Sequence, residues 1–171
     1  MKKAPPAPKT RFLRFPVVSL SAEYLVMGHL LRRNVLTYKA PPNNEGYDLI
    51  CIHPDPRVRE RQLRVQVKSR LATDSDRGFP VKKRSLDAFD YLVVAFLNVG
   101  YFLGKSKRHA SRDGAAAPEF FTFPASFIRR HHDSRSSWEK VRTSGLDIEK
   151  YHNELGFEQI ADALGVSYPS K

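Results

Sequence analysis

A single cysteine, Cys51, excludes an intrachain disulfide framework and a zinc-ribbon cluster, since both need several thiols. One lone thiol fits a reducing compartment, so a cytoplasmic location is expected. Long apolar runs are also missing. No stretch approaches the ~18 residues that a membrane-spanning helix requires. Acid is scarce: 18 Asp and Glu stand against 29 Lys and Arg, for a net charge of +11. That imbalance says little about fold but favours a polyanionic partner, nucleic acid first. Disorder of the whole chain is excluded by 41% apolar and 11% aromatic content.

What is present suits one domain with its own core, given 171 residues. Residues 1–10, MKKAPPAPKT, have the basic residues of a signal peptide without its apolar segment. They are expected to form a disordered, basic and proline-rich arm, extended in charge by Arg11 and Arg14. Residues 11–145 are expected to form the main domain. Residues 146–171 are expected to be a helical extension packed on that domain or on a dimer partner.

SLSAEYLVMGHLLRRN predicts a helix from about 20 to 34, capped by Ser19 or Ser21. Its expected buried stripe is Leu20, Tyr24, Met27 and Leu31, with Leu30 beside it. Glu23 lies on the side of Met27 and Leu30, an acid bordering apolar surface. VLTYKA (35–40) reads as a short strand and PPNNEG (41–46) as a turn. YDLICIH (47–53) reads as a covered central strand. Its alternation puts Asp48, Ile50 and Ile52 on one face and Tyr47, Leu49 and Cys51 on the other. QLRVQVKSR (62–70) is the next strand, with Leu63, Val65 and Val67 opposite Arg64, Gln66 and Lys68. The short connection between the two favours an antiparallel hairpin.

GFPVKKR reads as an extended edge beginning at Pro80. Further strands are expected at 91–97, 100–105 and 119–124, then a short helix at ASFIRRHH. KSKRHASRDGAAAP reads as a loop, and SWEKVR is open between strand and helix. A helical pattern runs from Leu146 to Leu164 with a break near Gly156, its apolar side formed by Ile148, Tyr151, Leu155, Ile160, Ala161 and Leu164. His131 and His132 share no helix face, make a poor metal pair and are read as surface residues.

Two neighbouring strands thus carry Asp48, Gln66 and Lys68. Phosphodiester hydrolysis needs charge stabilisation at phosphorus and an activated water. Mg²⁺ takes oxygen ligands, commonly one or two carboxylates plus water and substrate phosphate. Asp48 offers the carboxylate and Gln66 a side-chain carbonyl oxygen. Lys68 offers a group that can orient or deprotonate water, or stabilise developing charge. Glu23 joins them if the first helix packs across these strands. Expected phosphate contacts are Ser69, Lys82, Lys83 and Arg84, and Lys105, Lys107 and Arg108 in the basic loop. The expected partner is DNA, duplex or branched; RNA is less favoured but stays open, since no aromatic-and-basic platform for a single strand stands out along the chain.

The pieces AEYLVMGHLLRR, EGYDLICI and LRVQVKS, in that order, resemble the PD-(D/E)xK nuclease superfamily, and in particular its small resolvase-like and homing-endonuclease-like members. The resemblance covers about residues 19–98 and, more loosely, the strand at 119–123. It implies an α/β, restriction-endonuclease-like αβββαβ core, with a central mixed sheet flanked by helices. It places the family's helix acid at Glu23, its metal-binding aspartate at Asp48, its second acidic position at Gln66 and its lysine at Lys68. It further implies Mg²⁺, with Mn²⁺ as a substitute, and a homodimer, because two sites are needed to cut two strands. Two departures stand out. Asn44-Glu45-Gly46-Tyr47 replaces the proline that precedes the aspartate, and Gln66 replaces an acid. The second removes a negative charge from the ion's shell and leaves Glu23 and Asp48 more of the binding. The function implied is a Mg²⁺-dependent DNA endonuclease acting through a metal-activated water. Two other readings stay open: a DNA-binding protein that has kept the scaffold and lost catalysis, and a structural dimerising protein.

Overall fold

The computed structural model describes residues 16–42, 44–59, 61–104, 109–135 and 138–167. In chain order the elements are α1 (Pro16–Leu31), β1 (Leu36–Lys39), β2 (Leu49–Ile52), β3 (Gln62–Arg70), β4 (Gly78–Pro80), β5 (Tyr91–Phe96), β6 (Val99–Phe102), β7 (His109–Ala115), β8 (Glu119–Pro124), α2 (Ala125–His131), β9 (His132–Asp133), β10 (Lys140–Arg142) and α3 (Asn153–Leu164). The main sheet has the order β1-β2-β3-β5-β8. It is mixed: β3 and β5 are parallel, and the other neighbours are antiparallel, including the predicted β2–β3 hairpin. The chain crosses from β3 to β5 through β4 and one 3₁₀ turn, Lys83–Ser85. β4, β10 and β9 form a second, three-stranded sheet, and β6 with β7 a two-stranded ribbon.

The apolar character of β3 and β5 follows from their cover on both sides. Against one face lie α1 and α3, where Ala22, Val26, Leu30, Phe157, Ile160 and Leu164 meet Leu49, Cys51, Val65, Val67, Val93 and Phe120. Against the other lie Phe79, Val81, Phe89, Ile128, Val141 and Tyr151, which pack with Leu92, Val94, Phe121 and Phe123. No helix among the described residues is long and apolar enough to cross a membrane.

Several local expectations are corrected. The buried stripe of α1 is Ala22, Val26 and Leu30, whereas Leu20, Tyr24 and Leu31 are 43%, 55% and 45% exposed. Apolar residues surround this helix, so several i, i+4 stripes compete, and the one with small side chains lets the helix lie closest to Val65 and Val67. Tyr47 packs with the cluster opposite Leu49 and Cys51, because β2 begins only at Leu49 and strand alternation does not reach back to it.

His109–Ala115 is a strand and not a loop. Its small polar residues give no period-2 signal, and backbone pairing to β6 holds it. That ribbon is anchored where Asp74 accepts the N–H groups of Leu103 and Gly104, at 2.8 and 2.9 Å. α3 continues unbroken through Gly156. A Cβ there would sit 2.3 Å from the Tyr151 carbonyl oxygen, so the glycine serves a close approach. Leu155 is exposed, and Phe157 takes its expected place in the core. His131 and His132 are half-buried, and His132 Nε2 donates to the Val81 carbonyl at 2.8 Å.

Candidate active site

The site begins where β2 and β3 part. β2 has four residues and β3 nine, so their ladder stops at the Leu49–Val65 pair. Asp48 still donates its N–H to the Val65 carbonyl (2.9 Å), and its own carbonyl accepts the Ala40 N–H (2.9 Å). The next N–H on that edge of β3 belongs to Val67, and no strand is there to receive it. The Asp48 carboxylate does so, with Oδ2 accepting at 2.7 Å. The local sequence thus turns an acid into the last rung of a ladder. From Gln66 to Arg70, β3 pairs only with β5. Asp48 itself lines an open cleft of about 590 Å³, with Lys39, Pro41, Asn44 and Tyr47 among others. Asn44 Nδ2 donates to the Tyr47 carbonyl at 2.9 Å and shapes that wall.

Gln66 and Lys68 flank Val67 and share the face of β3 opposite Val65 and Val67. Gln66 is 6% exposed, and its Oε1 has no hydrogen-bond partner among the described residues. A buried carbonyl left this way costs about 1–3 kcal/mol unless a ligand, water or ion meets it. Lys68 makes no ion pair or hydrogen bond with the described residues. Burial penalises its ammonium and holds its pKa below the ordinary lysine range, while the nearby Asp48 carboxylate opposes that shift. A perturbed lysine near a carboxylate marks a functional candidate.

Glu23 meets a different partner. It is ion-paired with Lys39, the last residue of β1, and both side chains are half-buried. Lys39 stands opposite Leu49 in the β1–β2 register and lines the same cleft as Asp48. Its signal in the sequence was faint. Thr37, two residues before it on the same face, is buried, which makes Lys39 a cation on an inward-facing row.

Ser69 is half-buried and lines a separate, mostly apolar cavity of about 220 Å³ with Leu71, Ala72, Tyr101 and Leu103. Lys82, Lys83 and Arg84 are exposed, and Arg84 pairs with Glu45 at 2.9 Å. Lys105, Lys107, Arg108, Arg11 and Arg14 lie outside the described residues. Cys51 is no nucleophile, since burial pushes its thiol up to about 12.

Among the described residues, no group of three or more His, Cys, Asp and Glu converges to hold a metal. The donors present are hard oxygens, the Asp48 carboxylate and the unpartnered Gln66 carbonyl. They fit Mg²⁺ or Mn²⁺, with substrate phosphate and water completing the shell.

The mixed sheet, with α1 laid across the strands that carry Asp48 and Lys68, is the restriction-endonuclease-like fold, as the sequence resemblance implied. The chain is similar to a bacterial homing endonuclease, I-Ssp6803I, with a TM-score of 0.51 and 16% identity over 89% of this chain and 92% of that one. It also matches Hjc of Archaeoglobus fulgidus, a Holliday junction resolvase from a hyperthermophile, with a TM-score of 0.47 and 11% identity over 88% and 98%. No family model and no curated protein matches the chain.

Proposed function

We propose that this protein is a metal-dependent DNA endonuclease whose reacting site is Asp48, Gln66 and Lys68. The observation that carries this reading is the fork in the sheet. The Asp48 carboxylate sits on the N–H of Val67, whose neighbours along β3 are Gln66, with a buried carbonyl lacking a partner among the described residues, and Lys68, with a partly desolvated amine near Asp48. Asp48 and Gln66 would hold Mg²⁺, or Mn²⁺ in its place; when bound, such an ion supplies positive charge at the phosphate and makes water more acidic. The Val67 N–H fixes the Asp48 rotamer through Oδ2, which leaves Oδ1 to face a ligand. Lys68 stabilises negative charge as it builds on the phosphate oxygens, and its poor solvation strengthens that interaction. Glu23 orients Lys39 at the cleft mouth, where its ammonium meets a neighbouring phosphate.

The net charge of +11 and the likeness to a homing endonuclease support DNA, duplex or branched, as the substrate. Cutting both strands asks for two sites, so we propose a homodimer as the working form. The test is incubation of supercoiled plasmid and of four-way junctions with Mg²⁺ or Mn²⁺, comparing the parent with site variants. A second reading is favoured by Gln66 and by the Glu23–Lys39 pair, which together leave Asp48 as the one carboxylate of the four site residues without an ion pair among the described residues. It is a DNA-binding protein on a nuclease scaffold. It expects salt-steep binding, indifferent to metal, and no cleavage of either substrate.

Two expected results bear on individual residues. Gln66→Glu restores a carboxylate to the ion's shell and should tighten Mn²⁺ binding by about tenfold, about 1.4 kcal/mol, in calorimetry of the free protein. Unchanged affinity would remove Gln66 from that shell. Lys68→Met removes a half-buried cation without an ion-pair partner among the described residues. It should raise Tm by about 2–4 °C at neutral pH, as expected for ~1 kcal/mol in a chain this long. The native pKa of Lys68 lies below the unfolded one, so the unfolded chain holds more protons between the two values. Parent stability therefore rises with pH across that window, and the advantage of Lys68→Met should shrink on the alkaline side. An advantage constant with pH would contradict the desolvation argument.

A further inference from the structure

The rotation of α1 that buries Ala22, Val26 and Leu30 leaves a second apolar stripe in water. Val17, Leu20, Tyr24, Leu25 and Leu31 are all exposed. Among the described residues of α1, no exposed one carries a charge. The charges beside this face are committed elsewhere. Glu23 pairs with Lys39, and Arg32, just past the helix end, lies 3.7 Å from Glu154. In a chain of net charge +11 such a face is an exception. Copies of like charge repel, so a second copy is accepted best where neither surface carries charge.

The area is sufficient. These side chains leave on the order of 500 Å² of mainly apolar surface exposed, near the upper end of the largest patch on a typical monomer. Two such faces together bury on the order of 1,000 Å², which reaches what a specific interface needs.

Gly28 is an independent observation on the same face. It is exposed, its φ is not positive, and a Cβ added there would meet nothing within 4 Å. Nothing in its own chain therefore requires glycine, although glycine weakens a helix relative to alanine. Leu20 and Gly28 stand four positions either side of Tyr24, and Val17 and Leu31 seven. A two-fold axis at Tyr24 would lay α1 antiparallel on its copy. Leu20 would then sit over Gly28 of the second copy, and Val17 beside Leu31. A large side chain meets bare backbone, and the helices approach closely. Other occupants fit less well. DNA needs cations, which this face lacks. A bilayer surface needs a helix whose second face is cationic and wet, whereas the second face of α1 is in the core.

We propose that the outer face of α1 is the surface on which two copies of this chain pair, helix on helix about a two-fold axis at Tyr24. This surface serves the homodimer proposed above, on which the inference rests, and needs no cleavage to form. It also reaches the cleft. The Lys39 ammonium lies 5.9 Å from the centroid of the Tyr24 ring, so pairing at Tyr24 shields the Glu23–Lys39 pair.

The experiment is sedimentation equilibrium of the full-length protein over micromolar concentrations, in EDTA and at high salt, which screens the net charge. The parent should sediment as a concentration-dependent dimer. Gly28→Leu fits its own chain and should keep the parent's far-UV spectrum, yet raise the dimer dissociation constant by about 30-fold or more, as a change at the centre of an interface does. Tyr24→Glu and Tyr24→Lys should each be monomeric, and an equimolar mixture of the two should pair again, since opposite charges then meet at the axis. A parent that is monomeric at every concentration, which would leave the face to residues 1–15 or to another protein, would overturn the proposal. So would a Gly28→Leu dimer as tight as the parent's, or a mixture that stays monomeric. A dimer that these variants break, in a parent that cuts neither plasmid nor junction, would keep this surface and remove the nuclease reading. Cleavage by a monomeric parent would do the reverse.

Discussion

Asp48→Asn is expected to cleave plasmid about 10³-fold more slowly than the parent while melting within a few degrees of it. Asparagine is the informative replacement. Its side-chain oxygen can still accept the Val67 N–H, the bond that closes the open end of the β2–β3 ladder at 2.7 Å. Alanine would leave that N–H without a partner in a half-buried position, at about 1–3 kcal/mol, and would mix a folding defect with a chemical one. What asparagine removes is the negative charge. Glu23 cannot easily replace it, because its carboxylate is already paired with Lys39. Calorimetry should therefore show Mn²⁺ binding to the free protein lost in the same variant. A cleavage rate within about threefold of the parent would end the nuclease reading, since one acid lost from a metal site ordinarily costs far more. Salt-dependent DNA binding should survive the change, because the Lys and Arg residues that supply it are untouched.

The parts of this site that could be read in the linear order are those set by short-range pattern. β3 occupies Gln62–Arg70 as predicted, because Leu63, Val65 and Val67 alternate with Arg64, Gln66 and Lys68 without ambiguity. The antiparallel β2–β3 pairing followed from the short connection, and the order of motifs carried the fold class. The rest depended on contacts that no local pattern encodes. The rotation of α1 was hidden because the helix is apolar on most sides, and that rotation decides whether Glu23 faces Lys39 or the strands. The Glu23–Lys39 pair also requires the end of β1 to lie beside the middle of α1, a relation set by packing. β7 was invisible because its residues have low strand preference and are held by backbone pairing alone. The second sheet exists only once β4 and β10, distant in sequence, are paired.

Phe157→Ala is expected to destabilise the protein by about 3–5 kcal/mol, the usual cost of emptying a phenylalanine site in a core. Phe157 is fully buried on α3. Its ring stacks on His29 with centroids 4.9 Å apart, leans on Phe120 at 5.5 Å, and lies under the Arg33 guanidinium at 5.3 Å. The loss should therefore exceed the apolar term alone. Arg33 is buried, and its ion pair with Glu154 ties the end of α1 to the start of α3. A cavity beside it admits water to a charge that the fold keeps dry. Total stabilities of domains are about 5–15 kcal/mol, so the variant should sit near the threshold of folding. Thermal melting would show a drop of about 6–20 °C at the ~2–4 °C per kcal/mol typical of this chain length. Leu155→Ala is the matched control. Its side chain is exposed on the same helix, and such changes usually stay within about 0.5 kcal/mol. A Phe157→Ala melt close to that of Leu155→Ala would mean that α3 contributes little to the fold of its own chain. A large difference makes the C-terminal helix an integral support for α1, and through α1 for the Glu23–Lys39 pair at the mouth of the cleft.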